Sequence, residues 1–155
     1  MNYCRTKIIT LSLLPLILSK RHTSPVFMPA QSPYKVLIVD DSPPMLEALQ
    51  YLLHDESDLE VIGVAETGAR AIQVAAERHP DIVLLDVNLP DQKGYEVTEM
   101  IKKQVPTPLV ILISAHGDAQ TRQRGLEAGS DGFIEKGTER HKINRKILDI
   151  LAQKI

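Results

Sequence analysis

Asp81-Ile82-Val83-Leu84-Leu85-Asp86-Val87-Asn88-Leu89-Pro90 is the stretch from which the fold is read. Four consecutive aliphatic residues stand between two acids, with no polar residue alternating among them. A strand exposed on one face alternates, whereas a strand buried on both faces is a continuous apolar run, as in a parallel sheet covered by helices. Similar β-branched or leucine-rich runs occupy 35–39, 60–65, 109–113 and 132–135. Helical spacing fills the intervals. Met45, Leu49, Leu52 and Leu53 share one helix face, as do Ala69, Ile72 and Ala76. Val97 and Ile101 mark a weaker helix over 95–103, and 118–128 is nearly all polar and small, weakened further by Gly125. Ile143, Ile147, Ile150 and Leu151 mark the last. Five strands alternating with five helices predict a doubly wound α/β domain with helices on both faces of a five-stranded parallel sheet.

Composition narrows the functional classes. The chain has 155 residues, 43% hydrophobic and 25% charged, which suits one domain with its own core. A net charge of −2 gives no global sign of nucleic-acid binding, and 4% aromatic residues with no Trp disfavour a stacking platform for single strands. The single cysteine, Cys4, excludes an internal disulfide framework, a Cys-cluster zinc site and a CxxC redox pair.

The charge is uneven. The first 34 residues hold Arg5, Lys7, Lys20 and Arg21 and no acid, whereas the remainder holds 14 basic and 20 acidic residues. The apolar run 8–18 has 11 residues, too short to span a bilayer, which takes roughly 20. No convincing small-x-small cleavage site follows it. Residues 1–33 are expected to be a disordered or signal-like extension, with a start at Met28, a membrane-surface anchor and a packed segment all open. Residues 34–155 form the expected domain.

In a doubly wound sheet, function gathers at the carboxyl ends of the strands. Asp40-Asp41-Ser42 follows the first run, Asp86 the third, Ser114-Ala115 the fourth and Lys136 the fifth. If these four strands are neighbours, three carboxylates, a hydroxyl and an ammonium share one crevice. Close carboxylates resist full ionisation, and a hard divalent cation such as Mg²⁺ relieves the repulsion while leaving positions for phosphate oxygens. Asp86, alone at a central strand end, is the natural phosphoryl acceptor, and Asp40 and Asp41 are placed as a metal-holding pair.

These residues resemble the receiver domain of two-component response regulators. The matching text is Val36-Leu37-Ile38-Val39-Asp40-Asp41-Ser42, Asp86-Val87-Asn88-Leu89-Pro90 with Gly94, Leu112-Ile113-Ser114-Ala115, and Phe133-Ile134-Glu135-Lys136. The resemblance implies the flavodoxin-like strand order 2-1-3-4-5. It also implies phosphorylation of Asp86, with Mg²⁺ held by Asp40, Asp41, Asp86 and the backbone carbonyl of Asn88. Ser114 would be the switch hydroxyl, Phe133 the switch aromatic and Lys136 the phosphoryl contact, with Asn88 and His116 beside the phosphoryl group. The implied protein is a cytoplasmic signalling module, enzymatic only in its own phosphorylation and dephosphorylation. Its partners are a sensor histidine kinase or phosphotransfer protein, and an output protein or second copy docking on the fourth helix, fifth strand and fifth helix. No direct nucleic-acid contact and no membrane span are expected. Segments such as Asp58-Leu59-Glu60-Val61-Ile62-Gly63 resemble receivers that carry a helix-turn-helix output, so a stand-alone receiver and a truncated regulator are both open. Family members often have Pro after the lysine, where this chain has Gly137, and a more mobile loop is expected there.

Each residue also has a plainer role. Asp40-Asp41-Ser42 before Pro43 suits a helix N-cap, Asp86 a turn acid, Ser114 and Asp118 turn or cap residues, Lys136 a solvated loop lysine and Phe133 plain core. Other functions on related folds are a phosphorylation-independent pseudo-receiver, an aspartyl-phosphate phosphatase and a flavin protein. The phosphatase class spaces its acids two apart on the first strand, and Pro43-Pro44 stand where a flavin protein needs a phosphate loop.

Overall fold

A computed structural model describes residues 32–154, so almost all of the extension expected at 1–33 lies outside the described residues. The elements are β1 (Tyr34–Val39), α1 (Pro43–His54), β2 (Leu59–Ala65), α2 (Gly68–Arg78), β3 (Ile82–Asp86), α3 (Gly94–Ile101), β4 (Leu109–Ser114), α4 (Ala119–Glu127), β5 (Gly132–Glu135) and α5 (Arg140–Lys154). The sheet is parallel throughout, in the order β2-β1-β3-β4-β5. This is the 2-1-3-4-5 arrangement the resemblance implied.

The unbroken apolar runs have a simple physical origin. Successive strand residues point to opposite faces, and here each face has its own helical layer. Val36, Ile38, Ile82, Leu84, Ile111 and Ile113 pack toward Leu46, Leu49 and Leu53 of α1 and Ile147 and Leu151 of α5. Leu37, Val39, Val83, Leu85, Val110 and Leu112 face Ala71, Val74 and Ala75 of α2 and Val97 and Ile101 of α3.

Two helices differ from their sequence reading. The buried face of α2 is Gly68, Ala71, Val74 and Ala75, whereas Ala69 and Ala76 are exposed and Ile72 is half-buried. Both stripes have helical spacing, and close approach selects between them. A Cβ on Gly68 would stand 2.5 Å from Gln92 and 2.6 Å from Val97, so the side lacking a side chain turns inward. α3 stops at Ile101, two residues before the expected end, with Lys102 as its C-cap. The weak amphipathicity expected of the fourth helix holds: Gly125 is the buried residue of α4, and Leu126 is 66% exposed.

The amino ends of β4 and β5 are tied together by Asp131. Its Oδ2 accepts from Val110 N at 2.8 Å and from Lys102 Nζ at 2.5 Å, and its Oδ1 lies 3.4 Å from Lys154 Nζ. One carboxylate thereby joins the end of α3, β4 and α5 just ahead of β5. Among the described residues no helix is long and apolar enough to cross a membrane.

Candidate functional site

The carboxyl ends of β1, β3 and the segment after β5 meet at Lys136. Its Nζ lies 2.8 Å from Asp86 Oδ2 and 2.7 Å from Asp40 Oδ2. Both acids are buried, at 3% and 1% exposure, so water does little to screen them. Asp40, Asp41 and Asp86 each place a carboxylate oxygen within 4.8 Å of the other two, with Asp41 on the solvent side. Three acids therefore face one ammonium.

The electrostatics reflect that imbalance. Burial raises the Asp86 carboxyl above its ordinary value, against the hydrogen bond and charge of Lys136 and the Asn88 amide, which pull it down, while the Asp40 charge adds to the rise. Burial by itself would lower the Lys136 ammonium, but hydrogen bonding and charge from Asp40 and Asp86 together outweigh it and hold the ammonium above its usual range. The two shifts pull in different directions for one ion pair. The rise at Lys136 follows from its two anionic partners; the rise at Asp86 follows first from its burial, to which the neighbouring Asp40 charge adds.

This arrangement fits a divalent cation. Asp40 Oδ2 is buried, and among the described residues the contact given for it is Lys136 Nζ at 2.7 Å, a cation it shares with Asp86. An oxygen-only cluster with excess negative charge is the donor set that Mg²⁺ takes. The plainer N-cap reading of 40–42 holds for the position of Ser42 alone, with no side chain capping the helix. Ser42 occupies the N-cap of α1 but makes no side-chain cap, and Asp40 Oδ1 instead accepts from Ser42 N at 2.9 Å. Neither acid is spent on the helix, whose first two residues are Pro43 and Pro44.

The other expected residues are distributed around this centre. Asn88 donates its amide N–H to Asp86 Oδ1 at 3.3 Å, and its side-chain oxygen accepts from Lys93 Nζ at 2.7 Å. Ser114 is buried at the end of β4, one strand from Asp86, but its hydroxyl turns to its own loop. It donates to His116 O at 3.0 Å and accepts from His116 N at 3.2 Å. His116 itself is exposed. Ser114, His116 and Asn88 line a cleft of about 320 Å³ with Lys93, Tyr95 and Arg124. Phe133 stands apart from the acids, half-buried at the edge of the α2–α3 core layer. Asp118 does take the plainer role, capping α4 by accepting from Thr121 N at 2.7 Å.

Gly137 has a definite reason to be glycine. Its φ is +95°, and it sits in a turn closed by Thr138 N to Glu135 O at 3.1 Å. Proline, locked near −65°, cannot take that conformation. The turn after Lys136 in this chain therefore has no room for proline at position 137.

Several contributors left no one-dimensional signal. Lys93 holds Asn88 across an antiparallel bridge between the two residues. Arg122 covers Phe133, and Asp91 reaches α2. Each is an ordinary charged residue whose partner is set by loop geometry.

Comparison with known proteins agrees with the geometry. The chain is 40% identical over 104 residues to protein-glutamate methylesterase/protein-glutamine glutaminase 1 of Syntrophus aciditrophicus, covering 66% of this chain and 30% of that protein. It is 34% identical over 115 residues to response regulator protein VraR of Staphylococcus saprophyticus, covering 74% and 55% respectively. The chain thus spans between about a third and a half of the length of these curated relatives. The signal receiver domain of the putative response regulator NarL from Mycobacterium tuberculosis superposes with a TM-score of 0.73 at 30% identity, over 76% of this chain and 95% of that one. The family model described as the response regulator receiver domain matches residues 36–148, over the same strands that deliver the acids, the hydroxyl and the lysine, and the chain belongs to that family.

Proposed function

We propose that this chain accepts a phosphoryl group on Asp86 in a Mg²⁺-dependent reaction and thereby changes a protein-binding surface. The observation that carries this reading is the pairing of Lys136 with both Asp40 and Asp86 inside a cluster of three carboxylates. The donor would be the phosphohistidine of a sensor histidine kinase or phosphotransfer protein. A carboxylate oxygen of Asp86 attacks phosphorus, the new O–P bond forms as the N–P bond breaks, and the imidazole leaves with the electron pair. Asp40, Asp41, Asp86 and the Asn88 carbonyl would hold Mg²⁺, which when bound neutralises charge on the transferring oxygens.

Lys136 pairs with the phosphoryl oxygens once Asp86 is esterified. Ser114 redirects its O–H from the His116 carbonyl to a phosphoryl oxygen and draws the β4–α4 loop inward. Phe133 turns into the space this opens, packing alone driving it because the ring carries no hydroxyl. The surface of α4, β5 and α5 is then reshaped for an output protein or a second copy. The weak burial of α4 supports a two-state element there.

The test is incubation with a small phosphodonor and Mg²⁺, read by mass spectrometry and NMR. The expected result is one added phosphoryl group in wild type and none in Asp86→Ala, with resonances shifting around Ser114, Phe133 and α4. Phosphate retained by Asp86→Ala would overturn the assignment.

A further inference from the structure

The segment between β3 and α3 leaves the phosphoacceptor strand and returns to within bonding distance of it. Gly94 N donates to Val87 O at 2.7 Å, and Asn88 pairs with Lys93 in an isolated antiparallel bridge. These contacts close the neck of a small excursion whose tip is Leu89, Pro90, Asp91 and Gln92. Leu89 is 9% exposed and inserts into the α2–α3 core layer, and Pro90 has its φ locked by its ring. Only these two constrained residues separate Asn88 from Asp91.

The Asp91 carboxylate is committed to another element. Its Oδ1 accepts from Gly68 N at 2.8 Å and its Oδ2 from Ala69 N at 2.9 Å. These are the first two residues of α2, whose leading amides have no partner within the helix. Thr67 Oγ1 takes the next amide, Arg70 N, at 3.2 Å. A two-pronged, charge-assisted contact fixes orientation as well as distance. The neighbouring Gln92 lies against Gly68 so closely that a Cβ there would be 2.5 Å from it. The tip is therefore seated on α2 by two adjacent residues of different chemistry. At the other end of the excursion, the Asn88 amide bonds Asp86 itself.

We propose that Asp91 is a positioning residue for the phosphorylation site: by seating the tip on α2 it sets where the Asn88 backbone stands against Asp86, and so sets Mg²⁺ affinity. This inference rests on the receiver reading above. Capping α2 is a second consequence of the same contact and must be separated from positioning. Thr67 provides the means, because Thr67→Ala removes a cap from α2 without touching the β3–α3 segment.

The experiment uses the full chain as wild type, Asp91→Ala, Asp91→Asn and Thr67→Ala. Each is titrated with MgCl₂ by NMR and calorimetry and melted thermally. Loss of groups that support metal ligands commonly costs ~10–100-fold in affinity, and an effect relayed through two residues should be smaller, roughly three- to tenfold. Asp91→Ala should weaken Mg²⁺ binding by that factor and shift the Asn88 and Gly94 amides. Asp91→Asn, which keeps one acceptor oxygen, should fall between it and wild type, and it carries the test if the alanine variant fails to fold. Thr67→Ala should lower the melting temperature and leave Mg²⁺ affinity at the wild-type level. Equal affinity in wild type and both Asp91 variants overturns the inference, as does an equal loss in Thr67→Ala. No Mg²⁺ binding by wild type overturns the receiver reading and this inference with it.

Discussion

The guanidinium of Arg122 lies 4.8 Å from the centroid of the Phe133 ring. The same group reaches Glu135 Oε1 at 2.5 Å and Gly117 O at 3.0 Å. One α4 side chain thus holds the ring, β5 and the β4–α4 loop in a single arrangement. Exposed cation–π and ion-pair contacts are worth only about 0.5–1 kcal/mol each. Arg122→Ala is therefore expected to cost less than about 2 kcal/mol in urea unfolding, yet to move the Phe133, Gly117 and Glu135 resonances before any phosphodonor is added. Spectra of the variant that change only next to residue 122 would show that Arg122 does not restrain the ring.

Lys136→Ala would leave Asp40 and Asp86 buried without their cation. Stranding a buried charged group costs about 1–3 kcal/mol or more, and the lysine's partial exposure places this case toward the lower end. Denaturant unfolding without divalent ions should show a loss of about 1–2 kcal/mol. Adding Mg²⁺ should recover more stability in the variant than in wild type, because the metal then supplies the missing positive charge. Equal Mg²⁺ responses would count against a metal site at these acids.

Gly94 and Gly125 make a paired test of what a missing Cβ is for. At Gly94 a Cβ would stand 2.4 Å from Asp86 O and 2.8 Å from Val87 Cα, both backbone atoms that cannot rotate away. Gly94→Ala should cost about 2–3 kcal/mol and shift the end of β3. At Gly125 the nearest atom is Leu112 Cδ1 at 2.5 Å, a side-chain tip. Gly125→Ala regains about 1 kcal/mol of helix propensity and should change stability by less than about 1 kcal/mol in either direction. Thermal melts of the two variants decide it.

Gly137→Ala places a Cβ in the left-handed region and should cost about 1–2 kcal/mol. Gly137→Pro cannot keep the turn at all and should displace Lys136, weakening its pairing with both acids. Two-dimensional NMR of the Lys136 and Ser114 amides, which are joined through Lys136 N to Ser114 O at 2.7 Å, would register that displacement. An unchanged spectrum for the proline variant would contradict the turn assignment.

The Asp91 carboxyl is held below its ordinary value by the amides of Ala69 and Gly68. A carboxyl whose folded value lies below the unfolded one stabilises the fold above the unfolded value, about 3.9, and loses that contribution as pH falls through the folded value. The stability gap between wild type and Asp91→Ala should therefore be widest near neutral pH and close as the solution is acidified below about pH 4. Urea unfolding across that range measures it, and a gap independent of pH would show that the carboxylate charge is not what holds α2.

Much of this protein follows from the chain alone. Five apolar runs separated by helical spacing specify a sheet covered on both faces, because a residue such as Leu84 or Val83 is stable in a strand only if its side of the sheet is buried. Asp40, Asp41, Asp86, Ser114 and Lys136 are legible as a set because each directly follows or ends such a run, and strand ends are where a parallel sheet leaves side chains uncovered. What tertiary structure decided is how these groups are partnered. Lys136, just after β5, reaches past β4 to Asp86 at the end of β3 and to Asp40 after β1, a distance set by sheet order. The buried stripe of α2 was chosen by the absence of a Cβ at Gly68 and not by hydrophobicity, since both stripes had the right period. Asp91, Lys93 and Arg122 sit on surface loops or helices where any charged residue is compatible with the local pattern. Their hydrogen-bond partners lie from 5 to 23 residues away, and only the packed fold brings those groups within reach.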